Sequence, residues 1–156
     1  MGYPKIKIDL KKLEHNVRII TNLCKEYGIG VAGVTKVFCG NPKIAQAYID
    51  GGVYYIADSR VENLKKLKDF NLPKMLLRLP MPSEAGKVVK YADISLNSEI
   101  KTIRALSEEA FNLNKIHKII LMVDLGDLRE GYYYRRELYD VVGEISELRG
   151  IELMGI

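Results

Sequence analysis

The sequence predicts an α/β fold with a mostly parallel sheet, corresponding to the N-terminal part, about six strands, of a (βα)₈ barrel. Three observations point to it. Short apolar runs alternate with longer amphipathic ones along the whole chain. The amphipathic stretches have the period of helices, and helical crossovers between strands imply parallel pairing. The chain also ends on a fresh apolar run, Ile151–Ile156, with nothing after it to cover it. An open doubly wound sheet satisfies the same alternation. However, an apolar final strand without its crossover leaves a hydrophobic edge bare, which favours a barrel segment cut within its sixth strand. At 156 residues the chain is also well short of the roughly 250 of a complete barrel.

The elements follow in order. Ile6–Ile8 reads as a short strand. Leu10–Tyr27 reads as a helix with Leu13, Val17, Ile20 and Leu23 on its buried face and Gly28 as its stop. Val31–Val34 is the first strand of the repeating pattern, and Pro42–Ile49 the helix after it, with Ile44, Ala45, Ala47, Tyr48 and Ile49 apolar. Val53–Ala57, β-branched and aromatic, is the second strand; Ser59–Asp69 follows with Val61, Leu64 and Leu67 on one face. Met75–Leu79 and Ile94–Leu96 are the third and fourth strands, and the count of βα units requires a crossover between them to which no residues are assigned. Ser98–Asn112 is a helix with Ser98 as its expected N-cap and Ile100, Ile103 and Leu106 in register. Ile119–Val123 is the fifth strand, Arg135–Leu148 the next helix, with Leu138, Val141, Val142 and Ile145 on one stripe, and Ile151–Ile156 the sixth strand.

Composition narrows the function classes. With 47% hydrophobic residues the chain has the material for a core, which excludes a disordered protein. The apolar runs are far below the roughly 20 residues of a spanning helix, so no membrane span is expected. The net charge of +4 is mild and dispersed, without the concentrated basic stripe of a nucleic-acid binder. Two cysteines, Cys24 and Cys39, make no disulfide framework, and Met1–Lys5 lacks the apolar core of a signal peptide, so a reduced cytoplasmic protein is expected.

Chemistry in such a fold sits at the C-terminal strand ends. There the sequence places Thr35-Lys36, Asp58-Ser59-Arg60, Arg78, Ser95 with Asn97, and Asp124 followed by Gly126, Asp127 and Arg129. Lys36 stands out because apolar residues flank it closely on both sides, so partial desolvation of its ammonium is expected, favouring the neutral amine that Schiff-base chemistry uses. A snorkelling strand-end lysine is the bland alternative. Arg129 lies in a glycine-bracketed loop after a strong strand, the kind of loop that carries function, although a surface turn with internal ion pairs fits as well. Asp124 reads as a residue that ties that loop down, and Asn97 as a further candidate on the same edge. Arg78 is expected to pair with Asp58 across neighbouring strands. Cys39 reads as a small apolar filler, and His15 and His117 as structural or exposed. No metal-ligand spacing appears. Gly28–Gly33 spells G-x-G-x-x-G but precedes a strand instead of opening a helix, so it is no dinucleotide loop. Tyr132-Tyr133-Tyr134 suggests no mechanism.

Two of these segments carry a family resemblance. Val31-Ala32-Gly33-Val34-Thr35-Lys36-Val37 resembles the cofactor-lysine segment of the alanine racemase N-terminal superfamily, the fold-type III pyridoxal phosphate (PLP) enzymes. Val123-Asp124-Leu125-Gly126-Asp127-Leu128-Arg129-Glu130-Gly131 is similar to that family's Val-Asp-Thr-Gly-Met-x-Arg-x-Gly segment. Lys5–Leu10 followed by Leu13–Asn16 resembles the family's opening. Val34–Gly40, Ala57–Arg60 and Leu76–Pro80 bring the whole chain nearest to the ornithine racemase branch. The resemblance implies PLP held by Lys36 as an internal aldimine, with Lys36 one of two acid/bases at the amino-acid Cα. It further implies that Arg129 contacts the phenolic oxygen, that Asp124 supports its loop, and that Asn97 adds a cofactor contact. The implied activity is amino-acid racemisation, with a basic amino acid such as ornithine as the small-molecule substrate and a homodimer as the full-length state. Non-catalytic PLP-homeostasis proteins of the same fold are the alternative; a PLP aldolase or decarboxylase is a third. Two departures separate the chain from alanine racemases proper: Gly40 stands where they carry a phosphate-contacting tyrosine, and Met122 where many carry a lysine. The family's phosphate cup, second acid/base tyrosine and C-terminal β-domain all belong to later sequence, so residues 1–156 read as one incomplete barrel domain.

Overall fold

The computed structural model describes residues 3–156. In chain order the elements are α1 (Leu10–Glu26), β1 (Ala32–Val34), α2 (Pro42–Asp50), β2 (Tyr55–Asp58), α3 (Val61–Lys66), β3 (Lys74–Leu76), α4 (Ala85–Tyr91), β4 (Ile94–Asn97), α5 (Ile100–Asn112), β5 (His117–Leu121), β6 (Val123–Asp124), β7 (Tyr132–Tyr133), α6 (Arg136–Ser146) and β8 (Ile151–Gly155). Short 3₁₀ turns at Lys36–Phe38 and Pro82–Glu84 follow β1 and precede α4.

Six parallel strands form one sheet in the order β1-β2-β3-β4-β5-β8. Each new strand is laid beside the last, with no reversal. A doubly wound sheet reverses its strand order at a switch point; this one winds in a single direction, as a barrel does. The register sorts side chains onto two faces. Ile56, Leu76, Ile119 and Leu121 point to the helical layer and pack with Leu64, Leu67, Val88, Val89, Ile103, Leu106 and Ile145 in the main core. Burying each such side chain contributes about 1.5–3 kcal/mol. Ala57, Met75 and Ile94 align on the opposite face, where Lys118 and Glu152 form a 3.6 Å ion pair across β5 and β8.

Several expectations change. Ile6–Ile8 is irregular and exposed, because no strand of the sheet lies alongside to pair with it among the described residues. The unassigned crossover between β3 and β4 is the Pro82–Glu84 turn running into α4, whose seven residues are too few to show a clear period in sequence. Helix α1 is rotated from its expected orientation. Thr21 donates to the Gly51 carbonyl at 2.7 Å and Arg18 donates to the Asp50 carbonyl at 2.6 Å, so the Val17–Thr21 side faces α2 while Ile20 and Leu23 stay 53% and 58% exposed. Ser98 does not cap α5: the helix starts at Ile100, and the Ile100 backbone N–H donates to the Tyr132 hydroxyl at 2.7 Å. The run Ile119–Val123 is divided, its end joining Tyr132–Tyr133 in the two-stranded β6–β7 ladder.

Candidate active site

The C-terminal strand edge is built from buried anchors that present exposed tips. At the end of β1, Thr35 is fully buried, and its hydroxyl donates to the Asp58 carboxylate at 2.6 Å. Asp58 also accepts from the Arg60 backbone N–H at 2.9 Å and from the Asn63 side-chain amide at 3.1 Å. Three donors satisfy this buried carboxylate, which a charge in the core requires. Asp58 is thus committed to β1 and α3. It makes no ion pair with Arg78: the Asp58 carboxylate is engaged by Thr35, Arg60 and Asn63, and Arg78 stands two positions beyond its register partner Leu76, so the expected Asp58–Arg78 pair does not form.

Lys36 begins the 3₁₀ turn directly above Thr35. The apolar neighbours do not bury it: Lys36 is exposed, and the desolvation expected of its ammonium is absent, because Val37 points to solvent beside it, 82% exposed. The turn is closed by Cys39, in the left-handed region at φ 53°, and by Gly40 at φ 63°. A Cβ at Gly40 would stand 2.9 Å from the Asn63 carbonyl oxygen and Cβ. That contact leaves no space for a tyrosine at this position.

Arg129 sits in the loop between β6 and β7. Asp124, at the end of β6, accepts from the backbone N–H groups of Gly126 at 2.7 Å and Leu128 at 3.2 Å. The Gly126 bond, above all, holds the Asp124 carboxyl below the usual carboxylate range. Leu128 takes φ 54°, a second strained non-glycine residue beside the same site. At the loop's far end Gly131, with φ 111°, packs so closely that a Cβ would meet the Met122 carbonyl at 2.7 Å. Arg129 makes no ion pair among the described residues, so the surface turn with internal ion pairs is not what forms.

These two loops and the end of β3 enclose a cleft of about 480 Å³ lined by Lys36, Ser59, Leu77, Arg78, Leu79, Arg129 and Glu130. That volume lies in the range of small-molecule sites. Lys36 and Arg129 are therefore brought together. Asp124 lies beneath the loop and does not line the cleft, and neither does Asn97. Register pairs Asn97 with Leu121 on the helix-facing side, where it is fully buried and donates to the Ser95 carbonyl at 3.0 Å and hydroxyl at 2.9 Å. Ser95 in turn bonds His117 Nε2 at 2.8 Å, and the Asn97 Oδ1 is left without a partner. Glu130, Ser59, Leu77 and Leu79 are cleft residues that sequence reasoning gave no role, although all four lie inside segments that carry the family resemblance. No cluster of three or more potential metal ligands occurs among the described residues.

Residues 8–156 match the family model for the alanine racemase N-terminal domain. The chain belongs to that family. An ornithine racemase of Acetoanaerobium sticklandii is 52% identical over 99% of this chain and 44% of its own length. A lysine racemase of Thermotoga maritima is 36% identical over 100% of this chain and 44% of its own. In three dimensions an alanine racemase of Clostridium difficile 630 aligns with a TM-score of 0.79 at 22% identity, covering 94% of this chain and 38% of the other. The chain thus spans somewhat under half the length of the curated relatives it matches. The fold is the N-terminal part of the alanine racemase-type barrel.

Proposed function

We propose that this chain is the N-terminal, lysine-bearing segment of a PLP-dependent amino-acid racemase of the ornithine and lysine type, working in a reducing cytoplasm as part of a homodimer. The observation that carries the reading is the meeting of Lys36 and Arg129 in one cleft. Family membership and the racemase names of the relatives support it.

The donor set fits PLP. The exposed primary amine of Lys36 would hold an aldehyde cofactor, and the Arg129 guanidinium would complement an anionic ring oxygen. PLP, when bound, supplies an electron sink for negative charge at the amino-acid Cα. The chain's own residues do the rest. Lys36 holds the cofactor, and as a free amine it takes or returns the Cα proton on one face. Thr35, pinned by Asp58, fixes the turn from which Lys36 reaches. Arg129 orients the ring from a loop that Asp124 keeps in shape. Acid/base work on the opposite face falls to a residue outside this segment.

Borohydride reduction of the PLP-treated protein, followed by peptide mapping, tests the assignment. The reduced adduct is expected on Lys36 and absent in Lys36→Ala. An adduct that survives this substitution or maps to another lysine overturns it.

A further inference from the structure

Glu130 is the one acidic side chain among those that line the Lys36 cleft. It is half-buried, and among the described residues no hydrogen bond or ion pair holds its carboxylate, although Arg129 is its neighbour in sequence. Its mount is stiff. The Asp124 bonds fix the chain just before it, and the close packing of Gly131 on the Met122 carbonyl fixes the chain just after it. The rest of the lining is the Lys36 amine and two cations, Arg78 and Arg129, with Ser59 and two leucines, Leu77 and Leu79.

A cleft that binds an amino acid has two different charges to satisfy. The cations complement the α-carboxylate and an anionic cofactor. An unpaired carboxylate in the same cleft has no use for either, and is repelled by both. It matches a positive charge on the ligand, while Leu77 and Leu79 offer apolar surface for a methylene chain leading to it. We infer that Glu130 determines substrate class by receiving the terminal ammonium of a basic α-amino acid of the ornithine type. The inference rests on the racemase reading of this cleft and deepens it.

The test compares ornithine with norleucine, which has the same chain length with a methyl group in place of the ammonium. It uses the protein at the full length its gene encodes, loaded with PLP, and measures kcat/KM for both amino acids in wild type and Glu130→Gln. Calorimetric titration of the cofactor-free protein with the same two amino acids gives a second readout. Wild type is expected to favour ornithine in both assays, and Glu130→Gln to reduce that preference by about tenfold or more, mainly through KM. An equal fall for both substrates places Glu130 on Lys36 or Arg129 and overturns the inference, as does a preference that the substitution leaves intact. A wild-type protein that binds ornithine selectively through Glu130 yet racemises nothing overturns the racemase reading and leaves this inference standing.

Discussion

At Asp124 one carboxylate replaces the strand hydrogen bonds that the loop after β6 lacks. It gathers the amides of Gly126 and Leu128 and so sets the conformation from which Arg129 projects. Asp124→Ala is expected to speed amide exchange at Gly126 and Leu128 by about tenfold while leaving β5 protected, measured by hydrogen–deuterium exchange. The pH dependence has a definite sign. Hydrogen bonds to the charged form lower the folded-state pKa of Asp124 below its unfolded value. Its contribution is therefore full above the unfolded carboxylate pKa and lost as pH falls through the lower, folded one. The residue types in this loop were legible in sequence, because a strand-end Asp followed by glycines is a turn with a known hydrogen-bonding habit. The role of Glu130 was not, because its meaning depends on Lys36, Arg78 and Leu77 arriving from other strands.

Helix α5 shows what happens at the scale of an element. Its start was expected at Ser98 on the strength of a common capping residue, but the free N–H of Ile100 is met by a tyrosine from a segment far along the chain. Burial pushes the Tyr132 hydroxyl pKa up, against the opposing effect of the bond it accepts from Ile100. The contact ties the end of the Arg129 loop to the start of α5, giving one tyrosine of Tyr132-Tyr133-Tyr134 a definite purpose. Tyr132→Phe is expected to cost about 1 kcal/mol, the ordinary worth of an N-cap, in denaturant unfolding. A substitution without any cost rules out capping by this hydroxyl. Local propensity cannot reveal a cap of this kind, because the hydroxyl and the helix it caps are not neighbours in sequence. The same limit applies to α1. Its amphipathic period was clear, but the side it buries was decided by where Gly51 and Asp50 of the neighbouring helix end came to lie.

For the whole molecule, the clearest liability is the buried polar chain His117–Ser95–Asn97 between β4 and β5. Burial holds the His117 pKa at about 4, well below the ordinary 6.5. The folded state therefore binds fewer protons than the unfolded state between those values. The stability this confers is complete above pH 6.5 and is lost as pH falls toward 4, amounting to about 3 kcal/mol over that window. Urea unfolding at pH 7 and pH 4.5 is expected to show that loss, and His117→Gln to flatten it. An unchanged slope in the variant moves the titration to another group.

The sequence by itself determined the alternation of strands and helices, the parallel sheet, and the Lys36 and Arg129 motifs. Periodicity and turn chemistry are local properties, carried by residues a few positions apart. Only the tertiary structure decided that the strands wind in one direction, that Asn97 turns away into the helical layer, and that Asp58 serves Thr35 instead of Arg78. Those outcomes depend on register, and a shift of one residue moves a side chain to the opposite face of the sheet. Register is fixed jointly by the core packing of all the strands, so it cannot be read from any one of them.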